Sequence, residues 1–414
     1  LSGAKFAAAG TAVLARRTSP PKGRIAMPPK RLKLFVTVIA ALAVASTLCL
    51  KLRLAHAGQE FSDSGLKVLE PIGNGSLTVF PVVASKSYPT GEFLTLDEGL
   101  RSGDVVVTEY GNVRGLVRRH NTAPVQHDSA EVNRLVLINN SKRPLLLLAG
   151  EIVAGGKQDR VIGKDRIIPP ESDPVDLSVF CVEPGRWIAT SANFGTSGAT
   201  YGSAAGGAAV GSRQANASTL MAQPSVRAKA MGDKDQAQVW AEVRKEQQSV
   251  TVEVEAAAPA AADELSSTSS YAVVMENKRV KQEVDKIAKP IEQNYQSLIR
   301  QLRDRKAVGV VVAVNGHVIW ADVFASTELL EKYWPKLVRS YASEAVVTQI
   351  KGGKATMSEA ESFLDDMQGR RETIESEPGV FRHTEIDGNG FKAFALTSLL
   401  PKTGFDVHVA KMSE

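Results

Sequence analysis

Leu145–Trp187 reads LLLLAGEIVAGGKQDRVIGKDRIIPPESDPVDLSVFCVEPGRW, and the fold class turns on it. Leu145 to Leu148 is a continuous apolar run, which predicts a strand buried on both faces. Ile167-Ile168 and Leu177 to Val182 predict two more strands. Cys181 alternates with Leu177 and Val179, the position of a core thiol that packs as a small hydrophobe. Between the apolar runs lie two polar clusters. One is Gly150-Glu151 with Gly155-Gly156-Lys157-Gln158-Asp159-Arg160, and the other is Cys181-Val182-Glu183-Pro184-Gly185-Arg186-Trp187.

Upstream, Leu77 to Val83, Asp104 to Tyr110 and Val113 to Val117 have strand composition. Thr95-Leu96-Asp97-Glu98 is a capping box opening a short helix that Gly103 ends. Leu135 to Ile138 and Leu145 to Leu148 flank the turn-rich Asn139–Pro144, which reads as a hairpin loop. Downstream the pattern changes. Residues 191–222 and 256–270 are low-complexity loops, and a helix is expected over Asp233–Gln248. A longer helical period runs from Tyr271 to Leu302, with Pro290 set to kink or divide it.

Asn315-Gly316 joins two strands through a tight turn that needs two positive φ angles. Ser326 caps the next helix, whose apolar face is Leu330, Trp334, Leu337 and Tyr341. Pro335 fits if that helix starts near residue 332. A short helix (Ser358–Met367) and strands at Gly379–His383, Phe391–Leu396 and Phe405–Val409 follow. A β-rich N-terminal half followed by helices and a C-terminal hairpin-plus-helix unit is an α+β order, not an alternating parallel one.

The 414 residues are 43% hydrophobic and 23% charged, a globular balance. Residues 1–57 hold ten of the 50 basic residues and no acid, which leaves 40 basic against 45 acidic residues beyond them. A net charge of −5 outside the leader offers no nucleic-acid footprint. Lys30, Arg31 and Lys33 precede the apolar run Leu34–Leu50, and Ala55-His56-Ala57 has the small-x-small form of a signal-peptidase site. Residues 1–57 are therefore expected to be an upstream extension and signal peptide cleaved after Ala57, and 58–75 a linker. The product would be periplasmic or extracellular, with contact to a membrane only if the leader is retained.

The polar clusters, with Trp187, the hairpin around Val308-Gly309-Val310 and Asn315-Gly316, and Phe324, Tyr333-Trp334, Leu337, Ser340 and Tyr341, carry a resemblance. They resemble the bacterial ARG and rhodanese-phosphatase-superfamily-associated protein domain. The likeness spans residues 76–350, leaving 351–414 as an α+β extension on the same unit. Asparagine at the place of Asp159 and glutamine at that of Pro184 look more typical of the family. Its name records association, and the resemblance implies relatives without a reaction.

The candidate polar site is Glu151, Lys157, Gln158, Asp159, Arg160, Glu183 and Arg186, brought together if the strands ending at Ala149 and Val182 are neighbours. The three cations would take the carboxylate or phosphate of a small anionic ligand, and Glu151 or Glu183 would act as a base. The competing expectation is an ion-pair network that holds the turns. Gly155-Gly156-Lys157 lacks the spacing of a phosphate loop. No cofactor is expected and no metal, since His120, His127 and Asp128 lack ligand spacing. The favoured class is an exported binding or scaffold domain with a small anionic ligand or a protein partner. A hydrolase using Glu151 or Glu183 and a membrane-tethered envelope component are the alternatives.

Overall fold

The computed structural model describes residues 65–110, 133–185, 191, 193–195, 219–255, 259–302, 305–348 and 353–414. Its first strands are β1 (Lys67–Val68), β2 (Ile72–Asn74) and β3 (Leu77–Ala84). Then come β4 (Leu94–Thr95), α1 (Leu96–Ser102), β5 (Val105–Glu109), β6 (Arg134–Asn139), β7 (Leu145–Leu147) and β8 (Glu151–Gly155). β9 (Arg160–Ile162), β10 (Arg166–Ile168), β11 (Val175–Cys181), β12 (Asn193–Gly195) and β13 (Leu220–Met221) complete this half.

Six of these strands close on themselves. The order β12-β5-β6-β11-β9-β8 is joined at its ends, because Phe194 and Gly195 of β12 also pair with Gly155 and Ala154 of β8. Every other residue points inward: Val105 and Val107, Leu135 and Leu137, Leu177 and Val179, with Val153, Ile162 and Phe194, pack as one core. Closure removes the sheet edges and gives each of these short strands two pairing partners. Leu145, Leu147 and Ile168, from the three-stranded sheet β10-β7-β4, pack into the same core. Leu146 and Leu148 point the other way, into the main core. The Leu145–Leu148 run is thus apolar throughout because it separates two cores.

The middle of the chain is helical. α2 (Pro224–Ala228) runs into a π-helical turn (Lys229–Asp233), then come α3 (Gln236–Glu255), α4 (Pro259–Ser266), α5 (Tyr271–Glu276) and α6 (Lys278–Gln301). β14 (Lys306–Val314) and β15 (His317–Phe324) form the hairpin, with Asn315 at φ 52° and Gly316 at φ 82°. α7 (Thr327–Val347) and α8 (Met357–Asp365) lead to β16 (Gly369–Glu377), β17 (Phe381–Gly388), β18 (Phe391–Ser398) and β19 (Asp406–Ser413).

These strands form the second sheet, β1-β3-β14-β15-β19-β18-β17-β16 with β2 beside β3, antiparallel throughout. Alternate β14 residues serve two cores. Val310, Val312 and Val314 face the core that includes the α6 and α7 side chains, while Val311 and Ala313 pack with Ala360 and Leu364 of α8. The mixed α+β class agrees with the sequence. The last strands are integral to this sheet, since β19 lies between β15 and β18.

Several local expectations are corrected. β6 and β7 are not a hairpin: β6 pairs with β5 and β11, and β7 with β4 and β10. The Asn139 side chain instead folds the connection, donating to the carbonyls of Arg143 (2.8 Å) and Pro169 (3.0 Å) and accepting from Ser141. Part of 256–270 is the helix α4, whose Ala262 and Leu265 are buried. The break in the long helical segment falls at Asn277, whose side chain caps α6, and not at Pro290. The helix after Ser326 starts at Thr327, so Pro335 lies inside it. β16 was not expected, being a polar edge strand of sequence GRRETIESE. The possible strand Val113–Val117, the leader and most of 191–222 lie outside the described residues.

Pro290 survives inside α6 for a physical reason. A proline has no N–H for the carbonyl four residues earlier. That carbonyl belongs to Lys286, and the Asn74 amide of β2 donates to it at 2.8 Å. Asn74→Ala should cost about 0.5–1.5 kcal/mol in urea unfolding. In a Pro290→Ala background, where the helix supplies its own N–H, the same change should cost less. Equal costs in the two backgrounds would show that Asn74 does not compensate for the proline.

Candidate functional site

Glu151 opens β8 and is fully buried. One oxygen accepts the Leu148 N–H at 2.8 Å, and the other meets the Lys336 ammonium of α7. Lys336 also contacts Asp97 of α1 at 2.8 Å and Thr219 Oγ1 at 3.2 Å. Its ammonium lies 4.7 Å from the Tyr333 ring centre. One lysine cannot neutralise two carboxylates closed off from water. Burial, reinforced by the Asp97 charge, therefore lifts the Glu151 carboxyl above the ordinary range. At Asp97 burial also raises, but the Lys336 charge and bonds outweigh it and hold that carboxyl below the range.

A second buried network lies on the other side of the same turn. The Ala149 N–H donates to Asp165 Oδ1 at 2.7 Å, and Asp165 Oδ2 is 2.6 Å from His408 Nδ1. His408 Nε2 is 3.1 Å from Asp322 Oδ1. Arg227 grips both oxygens of Asp322 at 2.8 and 2.9 Å, and the Tyr341 hydroxyl donates to the same carboxylate. The Arg227 guanidinium lies 4.4 Å from the Trp320 ring centre. Asp165, Arg227, Asp322 and His408 are 0% exposed. Burial works against charge at His408, yet the two aspartates prevail and push its pKa up to about 9. Two cations then balance two carboxylates. Gly150, at φ +96°, lets the turn close over this group, for a Cβ there would stand 2.6 Å from Arg227 Cγ.

The remaining candidates gather elsewhere. Asp159 accepts the Gly155 N–H (2.9 Å) and the Ser270 hydroxyl (2.7 Å), and its own N–H donates to Glu183 Oε2 (3.0 Å). Gln158 donates to the Glu183 carbonyl, and Arg160 to the Gln158 carbonyl at 2.7 Å. The Lys157 N–H donates to Glu109. An asparagine at 159 could keep only one of the two acceptor roles. The expected single cluster is therefore corrected: Gln158, Asp159, Arg160 and Glu183 meet, while Glu151 joins Asp97 and Lys336. The strands leading to Ala149 and Val182 belong to different sheets. Arg186, like His120, His127 and Asp128, lies outside the described residues. Cys181 is the buried thiol expected. No group of potential metal ligands occurs among the described residues.

None of these groups lines an open cavity that lies beside the barrel. A cavity of about 370 Å³ lies between the outside of the barrel (Ser178, Phe180, Lys164), the π-helical turn (Ala230, Met231, Lys234) and the large sheet (Ile374, His383, Phe394). His383 is 1% exposed, and neither ring nitrogen has a hydrogen-bond partner. Burial holds its pKa down to about 4, so the ring is neutral at physiological pH. Lys234 ends the π-helical turn in the left-handed region at φ 54°, an uncommon conformation for a residue with a side chain. Sequence reading missed this site because its parts come from three distant segments. It also passed over Lys336, although that lysine falls on the apolar face of α7 between Tyr333 and Ser340. Asp322 gave a similar signal, being an acid in phase with Trp320 and Phe324.

The family model for the ARG and Rhodanese-Phosphatase-superfamily-associated Protein domain (ARPP-1) matches residues 65–411. The chain belongs to this family. The ARPP-1 domain extends past the expected 76–350 to take in β16–β18 and most of β19. Both buried networks and the cavity lie within it. No curated protein and no solved structure matches the chain.

The ARPP-1 domain should lose stability as its buried imidazolium titrates. His408 has a folded pKa raised from 6.5 to about 9. Its contribution is complete below pH 6.5 and is lost as the pH rises through 9. Urea unfolding at pH 6 and pH 9.5 should show lower stability at the higher pH. His408→Gln should lower stability at pH 6 and flatten the difference, and an unchanged pH slope in that variant would refute the assignment.

Proposed function

We propose that the chain is an exported bacterial protein whose ARPP-1 domain binds a small molecule. The observation that carries the reading is the cavity holding a fully buried histidine with both nitrogens unbonded. Its volume of about 370 Å³ is within the range of ligand pockets. A buried imidazole with no partner costs free energy unless something supplies one. Export rests on the leader, with its basic residues, apolar run and Ala55-His56-Ala57. No helix among the described residues is long and apolar enough to cross a membrane.

The buried carboxylates suit a structural role better than a catalytic one. A general base must reach a substrate proton within hydrogen-bond distance. Glu151 is fully buried, and its oxygens are taken by Leu148, Lys336 and Thr219. Glu183 holds the turn before Asp159. These contacts favour the binding reading over a hydrolase.

Thermal-shift screening of a metabolite collection tests the site. A compound that raises the melting temperature of the wild type should still do so in Glu151→Gln, whose baseline should drop by an equivalent of about 1–3 kcal/mol. Ser178→Trp, at an exposed position on the cavity rim, should abolish the shift. A shift that persists in Ser178→Trp would place the site elsewhere. Turnover of the compound, lost in Glu151→Gln while binding is kept, would restore the hydrolase reading. N-terminal sequencing of the exported protein should begin at Gly58.

A further inference from the structure

Resting on that reading, we infer that the cavity takes a small organic monoanion, a carboxylate on an aromatic or alkyl body, with its acid group at the lysine mouth and its body against the Phe180–Met231–Phe394 wall.

The wall sets the body of the ligand. Phe180, Met231, Ile374 and Phe394 give the cavity an apolar lining, and methionine adapts its shape to flat or flexible groups. His383 lies over Phe394 with ring centres 6.0 Å apart and planes 11° from parallel. Its neutral ring offers one N–H donor and one lone pair. A ligand with a hydroxyl, amide or ring N–H on its buried end could meet either, and a bare hydrocarbon would meet neither.

The charge at the mouth sets the other end. Lys164 and Lys234 line the cavity. Lys164 shares Glu375 with Arg166, and Lys234 shares Glu385 with Lys392. Four cations thus share two carboxylates, which leaves a local excess of positive charge. A ligand carboxylate would offset part of that excess, and a cationic ligand would add to it. The π-helical turn places Ala230, Met231 and Lys234 on the same side of the cavity, with Lys234 held in its left-handed conformation. Single π-helical turns and strained residues concentrate at functional sites, and here both occur in one cavity wall.

Calorimetric titration of the purified protein tests this with matched probes: 4-hydroxyphenylacetate, indole-3-acetate and decanoate, each beside its neutral amide. At least one acid should bind, about fivefold or more tighter than its amide. Lys234→Gln, at a half-exposed side chain, should weaken the acid roughly two- to fivefold and leave the amide unchanged. His383→Phe keeps the ring stack and should weaken 4-hydroxyphenylacetate more than decanoate. In the wild type, the His383 ring resonances should move on binding in NMR spectra. Acids and amides binding equally, or an acid preference untouched by Lys234→Gln, would overturn the anionic ligand and leave the pocket standing. The anionic ligand is overturned in the same way if none of the six binds while another compound gives a thermal shift that Ser178→Trp removes. If no compound in either experiment binds, the pocket reading falls with it.

Discussion

The turn Leu148–Glu151 is the point on which the structure depends. Three of its four residues have their backbone N–H groups committed to partners distant in sequence or to a side chain. Leu148 donates to the Glu151 carboxyl, Ala149 to Asp165 and Gly150 to the Ile162 carbonyl. The Gly150 carbonyl accepts from Ala222 at 2.7 Å. Through Glu151 the turn reaches Lys336 on α7. Through Asp165 it reaches His408 on β19, and then Asp322 on β15 and Arg227 on α2. Barrel, helices and large sheet are tied together by charges that water does not reach. In such surroundings each bond is strong, and each missing partner is expensive.

That economy separates the two kinds of polar group in the molecule. Asp322 has Arg227, His408 and Tyr341 around one carboxylate, and its pKa lies far below the ordinary range as a result. Glu151 and Asp97 share one lysine. These sets close on themselves and keep the layers in register. His383 sits on the same sheet as His408 and shows the opposite condition. His408, two strands away on β19, is held as an imidazolium between two aspartates, while His383 on β17 is held neutral beside an open cavity. The two histidines show how surroundings, not residue type, decide whether a buried imidazole is charged and paired or neutral and without a hydrogen-bond partner.

Much of the local structure could be read directly. Asn315-Gly316 forms the turn its residues demand, Thr95 and Ser326 cap their helices, and the apolar face of α7 is the expected one. Where reading failed, a distant contact had overridden a local rule. Pro290 does not break α6 because Asn74 takes the freed carbonyl. Leu135–Ile138 and Leu145–Leu148 do not pair because the Asn139 side chain turns the chain into another sheet. β16 escaped notice because an exposed edge strand needs no apolar alternation. Gly150 and Gly156-Lys157 lie in turns, but Glu151 and Arg160 belong to strands, and the partners of these side chains are not legible locally. Glu151 meets Lys336 across 185 residues, and nothing local to either announces the other.

The sequence by itself determined the α+β order, the doubly buried Leu145–Leu148 strand, the hairpin and caps, and the core position of Cys181. These follow from hydrophobic periodicity and backbone preference, which act over a few residues. The tertiary structure alone decided that six short strands close into a barrel, that the candidate acids belong to two separate networks, and that His383 faces a cavity. Each of these depends on which distant groups share a water-free volume. Burial and pairing are properties of that volume, not of any one stretch of chain.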